Sequence, residues 1–249
     1  MNADVETRGA YSELQPALII ATVQRLEQRV SERFPGSGLA RVAAELHRTA
    51  TQTQRTIAHL RRPIWPLRIG AVVGVVLLVG FALWMVSLLL RASVDLSDLS
   101  EVLQGSEAAL NDVIFLSVAV FFLVSIEQRV KRQRALHALH RLRSIVHIVD
   151  MHQLTKDPQH VLGGADTASS PARTLSRFEL ARYLDYCSEL LSLSSKLAAL
   201  HVQYLNDAVV LGAVNDIETL AASLSNKIWQ KIMILDGVAP QATRPSSRP

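Results

Sequence analysis

From Ile69 to Leu90 the chain reads IGAVVGVVLLVGFALWMVSLLL, twenty-two residues with no charge and a single hydroxyl, and no other stretch leaves so few options for folding. A helix rising 1.5 Å per residue crosses a hydrocarbon core of roughly 30 Å over that length. In water every side of such a helix would need a partner. A transmembrane helix is therefore expected over 67–91.

A second apolar run, ALNDVIFLSVAVFFLVSI, spans Ala109 to Ile126 and is continuously apolar only from Val113. On length alone it fits a buried core helix as well as a crossing. Charge decides. Between the runs, Arg91 to Asp112 holds one arginine against Asp95, Asp98, Glu101, Glu107 and Asp112, whereas Arg61, Arg62 and Arg68 precede the first run and QRVKRQR follows the second. Basic residues collect on the cytoplasmic side, so a hairpin with both termini cytoplasmic satisfies the asymmetry and a single crossing does not. The second transmembrane helix is placed at 109–126 and a short acidic extracytoplasmic loop at 92–108. The first apolar run begins almost seventy residues in, with no cleavage site after a short apolar core, so no signal peptide is expected.

The remaining sequence reads as helices outside the membrane. An amino-terminal hairpin occupies 1–62, its helices separated by Pro35-Gly36-Ser37-Gly38. Leu18, Thr22, Leu26 and Val30 recur at helical spacing in the first, and Ala43, Leu46, Ala50, Ile57 and Leu60 in the second. Pro63 and Pro66 break the chain before the membrane, with Trp65 suited to the headgroup level. After Ile126 nothing is Gly or Pro until beyond Leu154, so a basic, histidine-rich juxtamembrane helix is expected over 127–154. Its apolar arc is Ala135, Leu139, Leu142, Ile145, Val146 and Val149, opposite His140, Arg143, His147 and Asp150. Residues 155–175, with Gly-Gly and two prolines, read as a flexible linker. Ser176 and Glu179 match a capping box, opening an αα-hairpin over 176–235. Leu184, Cys187, Leu191, Leu197 and Leu200 form one stripe of that hairpin. Val210, Val214, Ile217, Ala221, Leu224 and Ile228 form the other, after a turn at Asn206-Asp207. Two such stripes need further helices to cover them. The tail over 236–249 reads as disordered. The fold class is thus an all-α membrane protein: two transmembrane helices in a hairpin, with a cytoplasmic helical bundle built from the amino- and carboxy-terminal helix pairs.

Chemistry is sparse. Four of eight histidines lie between His137 and His152. His137 and His140 are one turn apart and are the candidate metal ligands, but His147 is about 10.5 Å further along the axis, so a solvated basic face is the plainer reading. Cys187 stands in no nucleophile signature and, alone, forms no intrachain disulfide. Gly163-Gly164 lacks the Lys-Ser or Lys-Thr of a phosphate loop. No catalytic residue and no cofactor is assigned, and no enzyme is expected. Neither apolar run carries an ionisable group in its middle, against coupled transport. Gly70 and Gly74 form a GxxxG pair for membrane helix packing. Ser117 and Ser125 can bond across helices or to their own carbonyls. Asn111 and Asp112 are expected to cap the second crossing or, in a ring of subunits, to form a pore mouth. Arg129, Lys131, Arg132 and Arg134 form a basic cluster that faces anionic lipid; no groove-reading motif accompanies them, so nucleic acid is not an expected partner.

Arginine greatly outnumbers lysine, which points to a GC-rich bacterial genome and hence the inner (plasma) membrane. The expected function is that of a non-enzymatic, homo-oligomeric scaffold or signalling protein, with membrane lipids as partners and a cytoplasmic protein partner at 177–235. A small homo-oligomeric ion channel or pore-forming effector gated by its cytoplasmic helices is the alternative. A metal-dependent membrane enzyme comes third. In layout the chain is similar to the two-crossing effectors of bacterial defence systems, a likeness that no motif carries.

Overall fold

The structure, a computed structural model, describes residues 13–61, 64–91, 99–158 and 175–237. Among these every regular element is an α-helix: α1 (Pro16–Arg33), α2 (Gly38–Arg61), α3 (Trp65–Arg91), α4 (Leu99–Leu154), α5 (Arg177–Tyr204) and α6 (Ala208–Gly237). They form two compact units, one made of 1–61 with 134–249 and the other of 62–133, so that α4 contributes to both.

The first unit is built by local signals that start and stop each helix. Pro16 sits at the first position of α1, where its missing N–H costs nothing and its fixed φ suits a helix. Past Phe34 the chain turns through Gly36 at φ 70°, a left-handed conformation that glycine adopts without a Cβ penalty. The Ser37 hydroxyl then accepts from the Ala40 N–H at 3.1 Å and starts α2. At α5 the capping box is formed, the Ser176 side chain taking the Glu179 N–H while Glu179 reaches back to the Ser176 N–H at 2.8 Å. Asp207 starts α6 by accepting from the N–H groups of Val209 and Val210 at 3.0 and 3.2 Å.

Each of these helices lays one stripe into a common core. On α4 that stripe is Ala135, Leu139, Leu142, Ile145, Val146 and Val149; on α5 and α6 every position assigned inward from periodicity is buried. Each such leucine, isoleucine or valine contributes about 1.5–3 kcal/mol by leaving water. The two stripes of the α5–α6 hairpin are covered within this unit by α1, α2 and the end of α4. Polar pairs fix the registers. His47 bonds Glu27 across α1 and α2 at 2.6 Å, the Gln203 amide pairs with both backbone groups of Leu14, and Arg141 donates to Gln52 at 2.6 Å. The Lys231 ammonium donates to the backbone and side-chain oxygens of Gln153 at 2.8 and 2.7 Å. Gly38 allows the His152 ring to lie against α2, because a Cβ there would stand 2.2 Å from His152 Cε1.

Three sequence expectations change. On α1 the buried stripe is Ile19, Val23, Leu26 and Val30, while Leu18 is 63% exposed and Thr22 faces solvent, bonding its own Leu18 carbonyl at 2.8 Å. Within 92–108, expected as an extracytoplasmic loop, the chain is helical from Leu99 onward, where α4 begins with no proline to stop it. Asn111 and Asp112 consequently lie inside a helix and cap nothing. Most of the linker (159–174), the tail from residue 238 and residues 92–98 lie outside the described residues.

By length and composition, two helices among the described residues can cross a membrane: the stretches Asn111–Leu154 of α4 and Ala208–Gly237 of α6. Arg68–Trp84 of α3 is a shorter apolar stretch. The two long stretches differ in what their apolar residues do. Those of α6 include the stripe that closes the first unit's core, whereas none of the most apolar window in α4 is buried.

Candidate functional site

The second unit carries the site. Along α3, Ile69, Val72, Val76, Leu77, Phe81, Leu83 and Trp84 are all exposed, and along α4 so are Val113, Ile114, Phe115, Val118, Phe121 and Phe122. They span roughly half of each helix, and the remaining arc, with Val75 and Leu78 on α3 and Leu116 and Ala119 on α4, is apolar too and half-buried. A face in water would show one apolar stripe and one polar one, and here no polar face exists. The hydroxyls in these stretches turn inward on their own helices: Ser87 donates to the Trp84 carbonyl, Ser117 to that of Val113 and Ser125 to that of Phe122, at 2.7 to 2.9 Å. This settles the choice left open by sequence in favour of local bonding.

Between the helices Gly74 faces Leu123, whose Cδ1 would lie 3.0 Å from a Cβ at that position. Gly70 faces open space. The GxxxG spacing thus marks one close approach within this unit instead of two.

Below the apolar stretch stands a compact ionic group centred on Glu127, whose side chain is only 16% exposed. Its carboxylate accepts from Arg68 Nε at 2.6 Å, from Lys131 Nζ at 2.8 Å and from the Ile64 N–H at 3.4 Å. Burial pushes this carboxyl up, but the bonds from Arg68, Lys131 and Ile64 outweigh it and hold it at about 2. The group stays ionised at neutral pH. It also joins the start of α3 to α4 at the level where the apolar side chains end.

Of the basic cluster read from sequence, Arg129 and Arg134 are exposed, and the Arg129 guanidinium lies 5.1 Å from the centre of the Phe122 ring. Lys131 is different, being 14% exposed and committed to Glu127. Arg132 is half-buried. The two candidate metal ligands both lie on an exposed face of α4, and the His137 ring contacts Arg141 at 3.2 Å. Among the described residues no group of three or more His, Cys, Asp or Glu side chains gathers as a metal site. Asn111 and Asp112 are exposed. Cys187 is fully buried, and burial pushes its thiol up to about 12.

Glu127 is the residue that sequence reading passed over. It stood as a lone acid at the head of a basic run, and its partner Arg68 is 59 positions away in the chain. The chain matches no known family model, no curated protein and no solved structure.

Proposed function

We propose that this chain is a two-pass integral membrane protein of a bacterial plasma membrane, with α3 and the apolar part of α4 as an antiparallel hairpin and both termini cytoplasmic. The observation that carries this reading is the unbroken apolar surface around both helices, ending at the Glu127, Arg68 and Lys131 group. In water each exposed Phe, Leu or Val leaves about 1.5–3 kcal/mol of transfer free energy unrealised, and in lipid the same side chains are solvated. The contacts of Glu127 with Arg68 and of Gly74 with Leu123 support the antiparallel pairing. Basic residues beside that group support its cytoplasmic placement.

On this reading the helical unit outside the bilayer is the working part, a non-enzymatic scaffold or signal-receiving module that assembles with further copies or a cytoplasmic partner. Its own core is closed, so assembly falls to outward apolar side chains in 177–235, among them Trp229 and Met233, 56% and 63% exposed. The test is topological. A cysteine at Glu107 should react with a membrane-impermeant maleimide only from outside intact cells, and one at His147 only after lysis. Labelling of both, or extraction of the protein by carbonate, overturns the reading.

The exposed Asn111 and Asp112 at the far end of the apolar stretch favour a second reading, a homo-oligomeric pore. It requires ion leak from reconstituted liposomes whose cation selectivity falls on Asp112→Asn.

A further inference from the structure

We propose that the groove between α1 and α5 is an anion site that takes a phosphate group. A hollow of about 450 Å³ opens along it, and a second of the same volume adjoins it on α1. One is lined by Arg29, Glu32, Arg33, Arg182 and Tyr186, and the other by Thr22, Arg25, Gln28, Arg29 and Glu32. In the first, three guanidiniums from two helices gather around Tyr186, two of them held by carboxylates at the edge of the groove, Arg29 by Glu189 and Arg182 by Asp185, with Glu32 beside them. Planar guanidinium forks match phosphate oxygens two at a time, which an ammonium cannot do.

The arginines are held in place before any ligand arrives. Tyr186, 2% exposed, presents its ring to Arg29 at 5.7 Å and to Arg182 at 5.2 Å. Glu189 takes a bidentate bond from Arg29, and Asp185 accepts a single bond from Arg182 at 3.0 Å. The Arg33 guanidinium lies 5.6 Å from the Phe178 ring centre. Groups fixed in this way lose little freedom on binding. Because the Tyr186 ring is covered, what the groove presents to a ligand is the charged ends of its arginines. Arg25 and Arg33 are exposed and make no ion pair with a described residue, leaving their donors for the ligand.

The phosphate can belong to a soluble metabolite or to a lipid headgroup, and calorimetry on the full chain in uncharged detergent at fixed ionic strength separates them. Pyrophosphate and a water-soluble, short-chain phosphatidylinositol bisphosphate serve as probes. Binding of both with similar affinity assigns the site to free phosphate, and binding of the lipid alone assigns it to a headgroup. In either case Arg25→Gln and Arg33→Gln should each weaken binding about tenfold, while Arg55→Gln, on the exposed face of α2, leaves it unchanged. Circular dichroism melts check that these surface variants fold. Failure of both probes to bind, or binding unaffected by Arg25→Gln and Arg33→Gln, overturns the proposal. So does binding of a polyglutamate peptide without either phosphate probe.

Discussion

Glu127 is a carboxylate with three donors and little water, and its substitution separates charge from shape. Glu127→Gln keeps the size of the side chain but leaves Arg68 and Lys131 without their shared counter-ion. A loss of about 1–2 kcal/mol is expected, less than for a fully buried pair because Arg68 is 57% exposed. Thermal unfolding in detergent checks it. The wild-type contribution is fully present above the ordinary carboxyl value of 4.5 and is lost as pH falls toward about 2; Glu127→Gln removes that acid limb. His201 works in the opposite range. Its ring is fully buried, Nδ1 lies 3.1 Å from the Leu197 carbonyl, and Nε2 has no partner among the described residues. Burial lowers its pKa, so the folded unit resists a proton that the unfolded chain accepts. Stability should therefore fall as pH drops below 6.5, the ordinary histidine value. His152, also lowered mainly by burial, acts in the same sense. Melting temperatures between pH 8 and 5 should show this slope, reduced in His201→Phe; an equal slope in that variant rules His201 out as its source.

Much of the helical pattern was legible one element at a time. On α4, α5 and α6 the apolar residues recur against clear polar faces, and the inward positions follow from the period alone. On α1 they do not. Ala17 to Val23 reads ALIIATV, apolar on nearly every side, so the phase is set by what α1 packs against, and Ile19 and Val23 go inward in place of Leu18 and Thr22. The beginning of α4 was misplaced for a related reason. An acidic, serine-containing segment reads as a loop between two membrane helices, yet without proline it continues the helix that follows. The GxxxG pair was legible as spacing but not as geometry. Only Gly74 meets its neighbour, so Gly74→Leu should push Leu123 away and loosen the pairing of α3 with α4, whereas Gly70→Leu should have little effect. Disulfide trapping between cysteines placed at the half-buried positions 78 and 119 measures that pairing; equal trapping in both variants removes Gly74 from the interface.

At the scale of the whole molecule, apolar surface is disposed of in two ways. Within the first unit thirty-odd residues close around one core, and the α5–α6 hairpin finds its cover there without a second chain. Within the second unit comparable side chains remain uncovered. An apolar surplus therefore no longer argues for oligomers built through the hairpin stripes, and assembly, if it occurs, has to use outward residues. Under the scaffold reading the full chain should elute above the monomer mass in mild detergent and shift toward it on Trp229→Asp. A monodisperse monomer in the wild type rules that reading out.

The sealed position of Cys187 has a practical side. A thiol this covered, and protonated throughout the physiological range, reacts with maleimides or disulfide reagents only when the first unit opens. Its rate of modification is thus a clock on opening, readable by mass spectrometry in a crude membrane preparation. Cysteines introduced elsewhere for mapping can be labelled in minutes with the native one left in place.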